Sequence, residues 1–324
     1  MPSPTNPPSA VAERTRSDQP AGRSGVLLGT GCYLLWGLFP LFWPLLAPAG
    51  PVEVLAHRLL WTLALMLVVA TVLGRWRVLR RLPARGWGMV AISAVLITIN
   101  WGVYIYAVNS GHVVEGALGY FINPLVSIVL GVVVLRERLR RPQLLALVIA
   151  AVAVLVLALD YGRVPVIALS LAGSFGLYGL LKKTVPLDPA SSLTAESLVI
   201  GPLAVAYLVW LGTTGAGTFT TEGAGHVLLL AATGPITAVP LLLFGAAAKR
   251  VPLVTLGMLQ YLTPVLQFVL GVFVNHEPMP VSRWLGFGLV WTALVVFTAG
   301  TYLRRPRRDT TLPTAGGDAT GAER

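Results

Sequence analysis

A single arginine lies inside a long run of apolar residues, where a charged side chain is costly. Arg58 is six residues into the run 52–73, and a membrane-spanning helix would place it roughly 9 Å below the membrane boundary. An intramembrane arginine predicts a functional site by default, here one that holds an anionic substrate group or neutralises a carboxylate. The alternative is that Arg58 extends back to the interface and only anchors the helix.

Two prolines lie in the middle of other apolar runs, and Pro264 follows Pro124 by 140 residues. Each proline removes one helical hydrogen bond and frees the carbonyl four residues earlier, at Tyr120 and Gln260. We predict that both helices break at these prolines, because a freed carbonyl in lipid needs a new partner or a water-lined cavity.

Polar side chains flank each proline at the spacing i, i+3, i+7, which places them on one helix face. Two such stripes favour a central cavity that both helices line. The alternative is hydrogen bonding between packed helices, which Asn, Gln and Thr also provide. The stripes consist of Tyr120, Asn123 and Ser127 in one helix and of Gln260, Thr263 and Gln267 in the other.

Few other ionisable side chains lie within the apolar runs. Glu53, His57, Glu115 and Glu196 are the candidates for binding and releasing protons there. The three glutamates also begin predicted helices, where a carboxylate is favourable without any further role.

Aromatic and amide side chains complete the set of candidate binding residues. Trp101 lies deep enough in its run to line a cavity, whereas aromatic residues near span ends, such as Trp43, usually form the interfacial belt. The candidate substrate-binding residues are Arg58, Asn100, Trp101, Tyr104, Tyr120, Asn123, Gln260, Tyr261 and Thr263.

Several kinds of chemistry lack the residues that they need. The single cysteine, Cys32, excludes a disulfide framework and a Cys-based metal site. The sequence has no phosphate-binding Gly-rich loop, no His-Glu-x-x-His motif and no recognisable catalytic cluster. We expect no catalytic residue, no metal and no cofactor, so a membrane-embedded enzyme is a disfavoured alternative.

The elements that must position these residues are membrane-spanning helices. The chain has 324 residues, of which 55% are hydrophobic and 11% charged, with a mean hydropathy of +0.76. We predict an all-α membrane protein with ten transmembrane helices between two disordered tails, residues 1–24 and 304–324. The ten apolar runs are 25–46, 52–73, 87–109, 114–135, 143–159, 164–182, 192–212, 226–247, 252–274 and 282–303.

Positive charge alternates between successive loops. The tails and the loops after the second, fourth, sixth and eighth runs hold nearly all of the 24 Lys and Arg residues. This pattern predicts that both termini and these loops are cytoplasmic. It also explains the net charge of +11 as membrane anchoring, so we expect no nucleic-acid partner.

The sequence contains an internal repeat. GYFINPLVSIVLGVVVLRE from Gly119 matches LQYLTPVLQFVLGVFVNHE from Leu259, with Pro, Gly and Glu in the same register. We predict that residues 25–160 and 164–303 are two copies of a five-helix unit, the second inserted from the opposite side of the membrane. Inverted repeats of this kind place a binding site at their interface. The aligned Glu137 and Glu277 end their helices, and we expect them to cap the helices that follow.

The segments 53–62, 100–139 and 234–278 resemble RarD-type proteins of the EamA branch of the drug/metabolite transporter superfamily. The likeness covers nearly everything between the tails. It implies a ten-helix carrier in the bacterial cytoplasmic membrane and does not imply a known substrate. The resemblance highlights Glu53, His57, Arg58, Asn100, Trp101, Asn109, Glu115, Tyr120, Asn123, Pro124, Gln260, Tyr261 and Pro264.

These features predict a secondary active transporter of a small organic solute or drug-like metabolite that works by alternating access. Its expected partners are that solute and the lipid bilayer, and a homodimer is compatible with the sequence. A receptor or scaffold without transport is an alternative, although it would not need two symmetric polar helices.

Overall fold

Every element that the computed structural model describes is helical. The structure describes residues 10–139, 141–161 and 164–273, together with residues 284, 288, 289, 291, 292, 295 and 296, and that part of the chain contains no strand. A 3-10 helix covers Trp43–Leu46. The α-helices are α1 (Ala10–Gly37), α2 (Phe39–Phe42), α3 (Pro51–Val72), α4 (Trp76–Arg80), α5 (Ala84–Asn109), α6 (Val113–Val133), α7 (Arg141–Tyr161), α8 (Val166–Thr184), α9 (Pro189–Thr213), α10 (Gly223–Arg250), α11 (Leu253–Gln260) and α12 (Leu262–Phe273).

Over the described residues, eight helical segments are long and apolar enough to cross a membrane. They correspond to the predicted runs one to four and six to nine, and α7 occupies the fifth run. Almost all of the tenth run, together with Glu277, lies outside the described residues. Large apolar side chains are widely exposed, as a surface facing lipid requires. The chain is a multi-pass membrane protein.

The first run ends at Leu46, as predicted, but its start and its helical regularity differ from the prediction. Helix α1 begins at Ala10, inside the segment predicted to be a disordered tail, because Ala, Glu and Arg at positions 10–14 favour a helix. It ends at Gly37, and the chain continues to Leu46 as α2 and the 3-10 helix. Pro40 and Pro44 have no N–H to donate, so one regular helix cannot continue through them without loss.

The helix continues through one of the two mid-run prolines and breaks near the other. Helix α6 runs through Pro124 without a break, contrary to the prediction. Helix α11 packs closely against α6 there, since a Cβ on Gly257 would lie 2.9 Å from the Pro124 carbonyl oxygen. The ninth run does break, at Tyr261 between α11 and α12, three residues before Pro264.

Helix pairing sets the architecture of the bundle. Helix α6 packs against α8 and α11, α1 packs against α10, α11 and α12, and α3 packs against α9 and α10. Helix α5 packs against α8 and α9. A buried aromatic cluster lies where α1, α8 and α10 meet, and its Tyr178 and Phe244 rings stack with centroids 5.7 Å apart.

The alternating helix directions give the bundle two ends, which we name by one residue each. The Gly50 end contains the loops 47–50, 110–112 and 214–222. The Lys182 end contains the loops 73–83, 134–139, 185–188 and 251–252.

Polar contacts tie several helices together at the Lys182 end. Glu137 accepts hydrogen bonds from the N–H groups of Leu253 and Val254 at 2.8 and 2.9 Å, so it caps α11. Capping by Glu137 is thus confirmed, but the prediction named the wrong helix. The free N–H groups that Glu137 binds belong to α11 and not to α7, the next helix in sequence. Lys183 donates to the Val251 carbonyl at 2.6 Å and lies 3.8 Å from the Glu137 carboxylate.

A second cap at this end starts α9. Asp188 accepts hydrogen bonds from the N–H groups of Ala190 and Ser191 and from the Ser191 hydroxyl, and Arg75 lies 3.9 Å away. Partial burial raises the pKa of Asp188, but these hydrogen bonds and the Arg75 charge outweigh it, so the pKa lies below its ordinary value.

Candidate functional site

Arg58 is held between two indole rings. Its guanidinium carbon lies 4.8 Å from the centroid of the Trp43 ring and 4.4 Å from that of Trp101. Its Nε donates a hydrogen bond to the Thr237 hydroxyl at 3.1 Å. The 3-10 helix, α3, α5 and α10 each supply one of these four residues, so the arrangement exists only in the folded bundle. Cation–π contacts strengthen when water is excluded, which helps to hold the arginine within the membrane-spanning region.

The Arg58 side chain points towards the middle of the bundle. Helices α3 and α10 both start at the Gly50 end, and the Thr62 hydroxyl donates to the Gly234 carbonyl at 3.3 Å, which places these two residues level. Arg58 lies four residues nearer the Gly50 end than Thr62, whereas Thr237 lies three residues farther from that end than Gly234. A side chain that reaches inward to Thr237 is not snorkelling to the interface.

No carboxylate pairs with Arg58 among the residues that the structure describes. Glu53 and Glu115 accept hydrogen bonds from backbone N–H groups elsewhere, and Glu196 pairs with Lys182. The Arg58 charge is therefore available to a different anion.

Two tyrosines extend the site from the arginine. Tyr120 is close enough to interact electrostatically with Arg58, and its ring meets that of Tyr104 edge-on, with centroids 5.6 Å apart. Tyr104 keeps 38% of its surface exposed, so the aromatic wall reaches the surface of the bundle. The predicted residues Arg58, Trp101, Tyr104 and Tyr120 thus form one continuous group.

Asn100 lies apart from this group. Its side-chain amide donates to the Leu171 carbonyl at 2.9 Å and to the Ser174 hydroxyl at 3.1 Å, both on α8. These bonds are the helix–helix contacts that the sequence offered as the alternative to cavity lining.

The residues of the two polar stripes also fall into two groups, those that bond to another helix and those without a described partner. Thr263 donates to the Tyr33 carbonyl at 2.8 Å, and the Tyr261 hydroxyl donates to the Phe121 carbonyl at 3.4 Å, so both join helices. Asn123 and Gln260 are buried, and their side-chain oxygens have no hydrogen-bond partner among the described residues. A buried acceptor without a partner is costly, which favours contact with water or a ligand.

Glu53 and His57 bind the loop at the Gly50 end. The Glu53 carboxylate accepts from the Thr218 N–H at 2.7 Å and from its hydroxyl at 3.1 Å, and that hydroxyl also contacts the His226 ring at 2.9 Å. The His57 ring stacks on Phe219 with centroids 4.8 Å apart. Neither ring nitrogen of His57 has a partner among the described residues. These contacts fasten loop 214–222 to α3.

Glu196 lies in a buried network at the Lys182 end. Its carboxylate lies 2.8 Å from the Lys182 ammonium and accepts hydrogen bonds from the hydroxyls of Ser93, Ser192 and Tyr178. Both charged side chains are almost completely buried. Glu115, in contrast, accepts from the Ile167 N–H at 2.7 Å and thereby caps α8. No described group of three or more His, Cys, Asp and Glu residues could hold a metal ion.

Sequence reasoning missed three residues of these sites. Trp43 had been assigned to the interfacial belt, Lys182 to membrane anchoring, and Thr237 to no role. The available signals were weak: Thr237 lies between Pro235 and Pro240 in an apolar run, and Lys182 is one turn after Tyr178.

Known proteins resemble this chain over most of its length. The family model of the EamA-like transporter family matches residues 23–159. Protein RarD of Streptomyces exfoliatus is 55% identical over 288 residues, which cover 88% of this chain and 91% of the relative. The uncharacterized transporter YojE of Bacillus subtilis is 44% identical, and Protein RarD of Escherichia coli is 40% identical; each match covers 85% of this chain and 94% of the relative.

A solved crystal structure has the same fold, with a TM-score of 0.66 at 20% identity, and covers 85% of this chain and 97% of the solved one. These relatives come from bacteria and several are named transporters. The chain belongs to the EamA-like transporter family and, within it, to the RarD-type proteins.

Proposed function

We propose that this protein is a secondary active transporter of a small organic solute. The observation that carries the proposal is Arg58, which lies inside a membrane-spanning helix and has no carboxylate partner among the described residues. An aromatic wall beside it reaches the surface of the bundle through Tyr104. A binding residue at this depth is of use to a protein that moves solutes, because a solute must pass there. We infer that the protein is not an enzyme, since its relatives are named transporters.

The pairing of helices supports an inverted repeat. In a repeat of five helices, each of the first five predicted runs corresponds to the run five places later. The contact of α6 with α8 then corresponds to that of α12 with α1, and the contact of α5 with α8 to that of α10 with α1. The same correspondence converts α5 with α9 into α10 with α3 and leaves α3 with α9 and α6 with α11 unchanged. All of these contacts occur. Two five-helix units, 25–160 and 164–303, would produce them.

The contrast between the two ends of the bundle supports alternating access. At the Lys182 end, Glu137 and Lys183 join α6, α8 and α11, which supports a closed conformation there. At the Gly50 end, Glu53 and Glu115 also join the two halves, through Thr218 and Ile167, but Tyr104 and Trp43 beside Arg58 retain exposed surface. We infer that this is the form open at the Gly50 end, and that rocking of the two halves opens the Lys182 end in turn.

The charge pattern supports an orientation for this cycle. The Lys182 end carries the cationic loops, which under the positive-inside rule supports a cytoplasmic position for this end and for both termini. The bacterial relatives favour the cytoplasmic membrane. The form described here would then face outward.

Solute counterflow in proteoliposomes tests the proposal. Purified protein is reconstituted and challenged with a panel of labelled metabolites and drugs, each present in excess inside the vesicles, with and without a pH gradient. One relative, at 29% identity, is named a chloramphenicol-sensitive protein, so chloramphenicol belongs in the panel. We expect saturable exchange of at least one solute. If no solute moves faster than in protein-free vesicles under any gradient, the transport function is refuted.

A further inference from the structure

We propose that Arg58 binds the carboxylate of the solute, so that the protein carries small organic anions. This inference rests on the transport function proposed above and adds the chemical class of the substrate.

The described contacts of Arg58 involve its Nε–H and two indole rings but neither of its Nη groups. The Trp43 and Trp101 rings lie over the guanidinium group, and the Nε–H is used by the Thr237 hydroxyl. The Nη groups, which lie in the plane of the guanidinium, have no acceptor among the described residues. Two parallel N–H donors in that plane match the two oxygens of a carboxylate, which binds arginine in a bidentate manner.

The positive charge of Arg58 disfavours neutral and cationic solutes. An unpaired cation in a region of low dielectric favours any arrangement that neutralises it. A carboxylate does so, a neutral amide of the same shape does not, and a cationic solute adds repulsion. The described glutamates do not compete, because Glu53, Glu115 and Glu196 are each held by their own partners.

The aromatic wall fits the organic part of such an anion. The Tyr120 and Tyr104 rings continue from Arg58 to the surface, offering apolar faces with hydroxyl groups at their ends. A site for a bare inorganic anion would need no such wall. The geometry therefore favours a carboxylate attached to an apolar or aromatic body.

Binding of matched probes to purified protein in lipid nanodiscs tests this inference. The probes are benzoate and benzamide, lactate and lactamide, phenyl phosphate and benzylamine, followed by tryptophan fluorescence and thermal stabilisation. We expect at least one carboxylate to bind about tenfold or more tightly than its amide, as loss of charge-assisted hydrogen bonds implies. Arg58→Gln should lose that preference, and Arg58→Lys, which keeps the charge without the planar fork, should bind about tenfold more weakly than wild type.

Arg85→Gln is the matched control, because it removes an exposed arginine from the opposite end of the bundle. It should bind the carboxylate as wild type does. Gel filtration and helical content establish whether each variant is folded. If Arg58→Gln does not fold, Arg58→Lys takes its place as the test variant.

Four outcomes overturn the inference. They are equal carboxylate binding by wild type and a folded Arg58→Gln, tightest binding of an amide or of benzylamine, binding of phenyl phosphate alone, and no binding of any probe. The transport function is judged separately by counterflow. If only neutral or cationic solutes are exchanged, carboxylate recognition by Arg58 is refuted and the transport function stands. If a carboxylate binds but no solute is exchanged, the transport function is refuted and carboxylate recognition stands.

Discussion

The buried pair of Lys182 and Glu196 provides a sharp test of the packing at the Lys182 end. Removing one member of a buried ion pair leaves a charge without its partner, which typically costs about 3–5 kcal/mol. For Lys182→Met we expect the lower limit, about 3 kcal/mol, because the three hydroxyl donors of Ser93, Ser192 and Tyr178 still stabilise the Glu196 carboxylate.

Glu196→Gln should cost a similar amount, since it leaves the Lys182 ammonium with the Ser192 hydroxyl and the face of the Tyr178 ring. The double variant removes both charges and keeps, at position 196, an amide side chain that the hydroxyls can still bind. It should therefore lose only about 2–3 kcal/mol, well short of the sum of the single losses, which is about 6 kcal/mol.

Thermal unfolding of the four proteins in nanodiscs measures the coupling. At roughly 2–4 °C per kcal/mol, the single variants should melt about 6–12 °C below wild type and the double variant no lower than either of them. Lys249→Met is the matched control, because Lys249 lies at the same end but is exposed and binds only backbone carbonyls; its loss should be smaller. Additive losses in the double variant would refute the reasoning, since they would mean that the two charges do not stabilise each other.

Two further predictions concern topology and pH. In a Cys32→Ala background, cysteines at Arg80 and Ala216 should react with an impermeant maleimide from opposite sides of the membrane, and labelling from the same side would contradict the orientation proposed here. Asp188→Asn keeps a capping oxygen but removes the negative charge at the start of α9 and beside Arg75, so it should cost about 0.5–1 kcal/mol at neutral pH. Hydrogen bonds and Arg75 lower the pKa of Asp188 in the folded protein. The ionised carboxylate therefore contributes fully to the free energy of unfolding above the pKa of an unfolded aspartate, about 4. This contribution is lost as the pH falls through the lower pKa of the folded protein. Wild type should therefore lose stability more steeply than Asp188→Asn below about pH 4, and parallel pH profiles would show that the cap does not titrate in this way.

The hydrophobic pattern predicted the eight spans that the described residues contain, with Arg58 inside the second of them, because lipid allows little freedom in where a helix can begin and end. The same pattern could not predict how the helices pack. Trp43 resembles an interfacial residue in sequence, and its contact with Arg58 arises because the chain leaves regular helix after Gly37 and brings the indole back over α3.

Long-range contacts account for the other misses. Lys182 reads as an anchoring charge beside Lys183, yet it is buried because Glu196 on the next helix faces it. Glu137 caps α11, more than a hundred residues away, rather than its neighbour in sequence. Proline chemistry alone predicted equal breaks at Pro124 and Pro264, but the close approach of Gly257 to α6 exists only in the folded bundle.

Locking the Lys182 end tests alternating access most directly. A Cβ on Gly131 of α6 would lie 3.3 Å from the Cβ of Leu253 of α11, close to the separation of about 3.5–4.5 Å in a disulfide. It would also lie 2.8 Å from the Glu137 carboxylate, so that side chain must move aside, and the Gly131→Cys single variant measures the effect of this displacement. Gly131→Cys with Leu253→Cys, in the Cys32→Ala background, should therefore cross-link α6 to α11 on oxidation. The measurement is counterflow of a solute that the wild-type protein exchanges, before and after oxidation, with each single-cysteine variant as control and the cross-linked fraction determined by mass. If this end must open in each cycle, exchange should fall in proportion to the cross-linked fraction and return on reduction. Full exchange by fully cross-linked protein would contradict the mechanism.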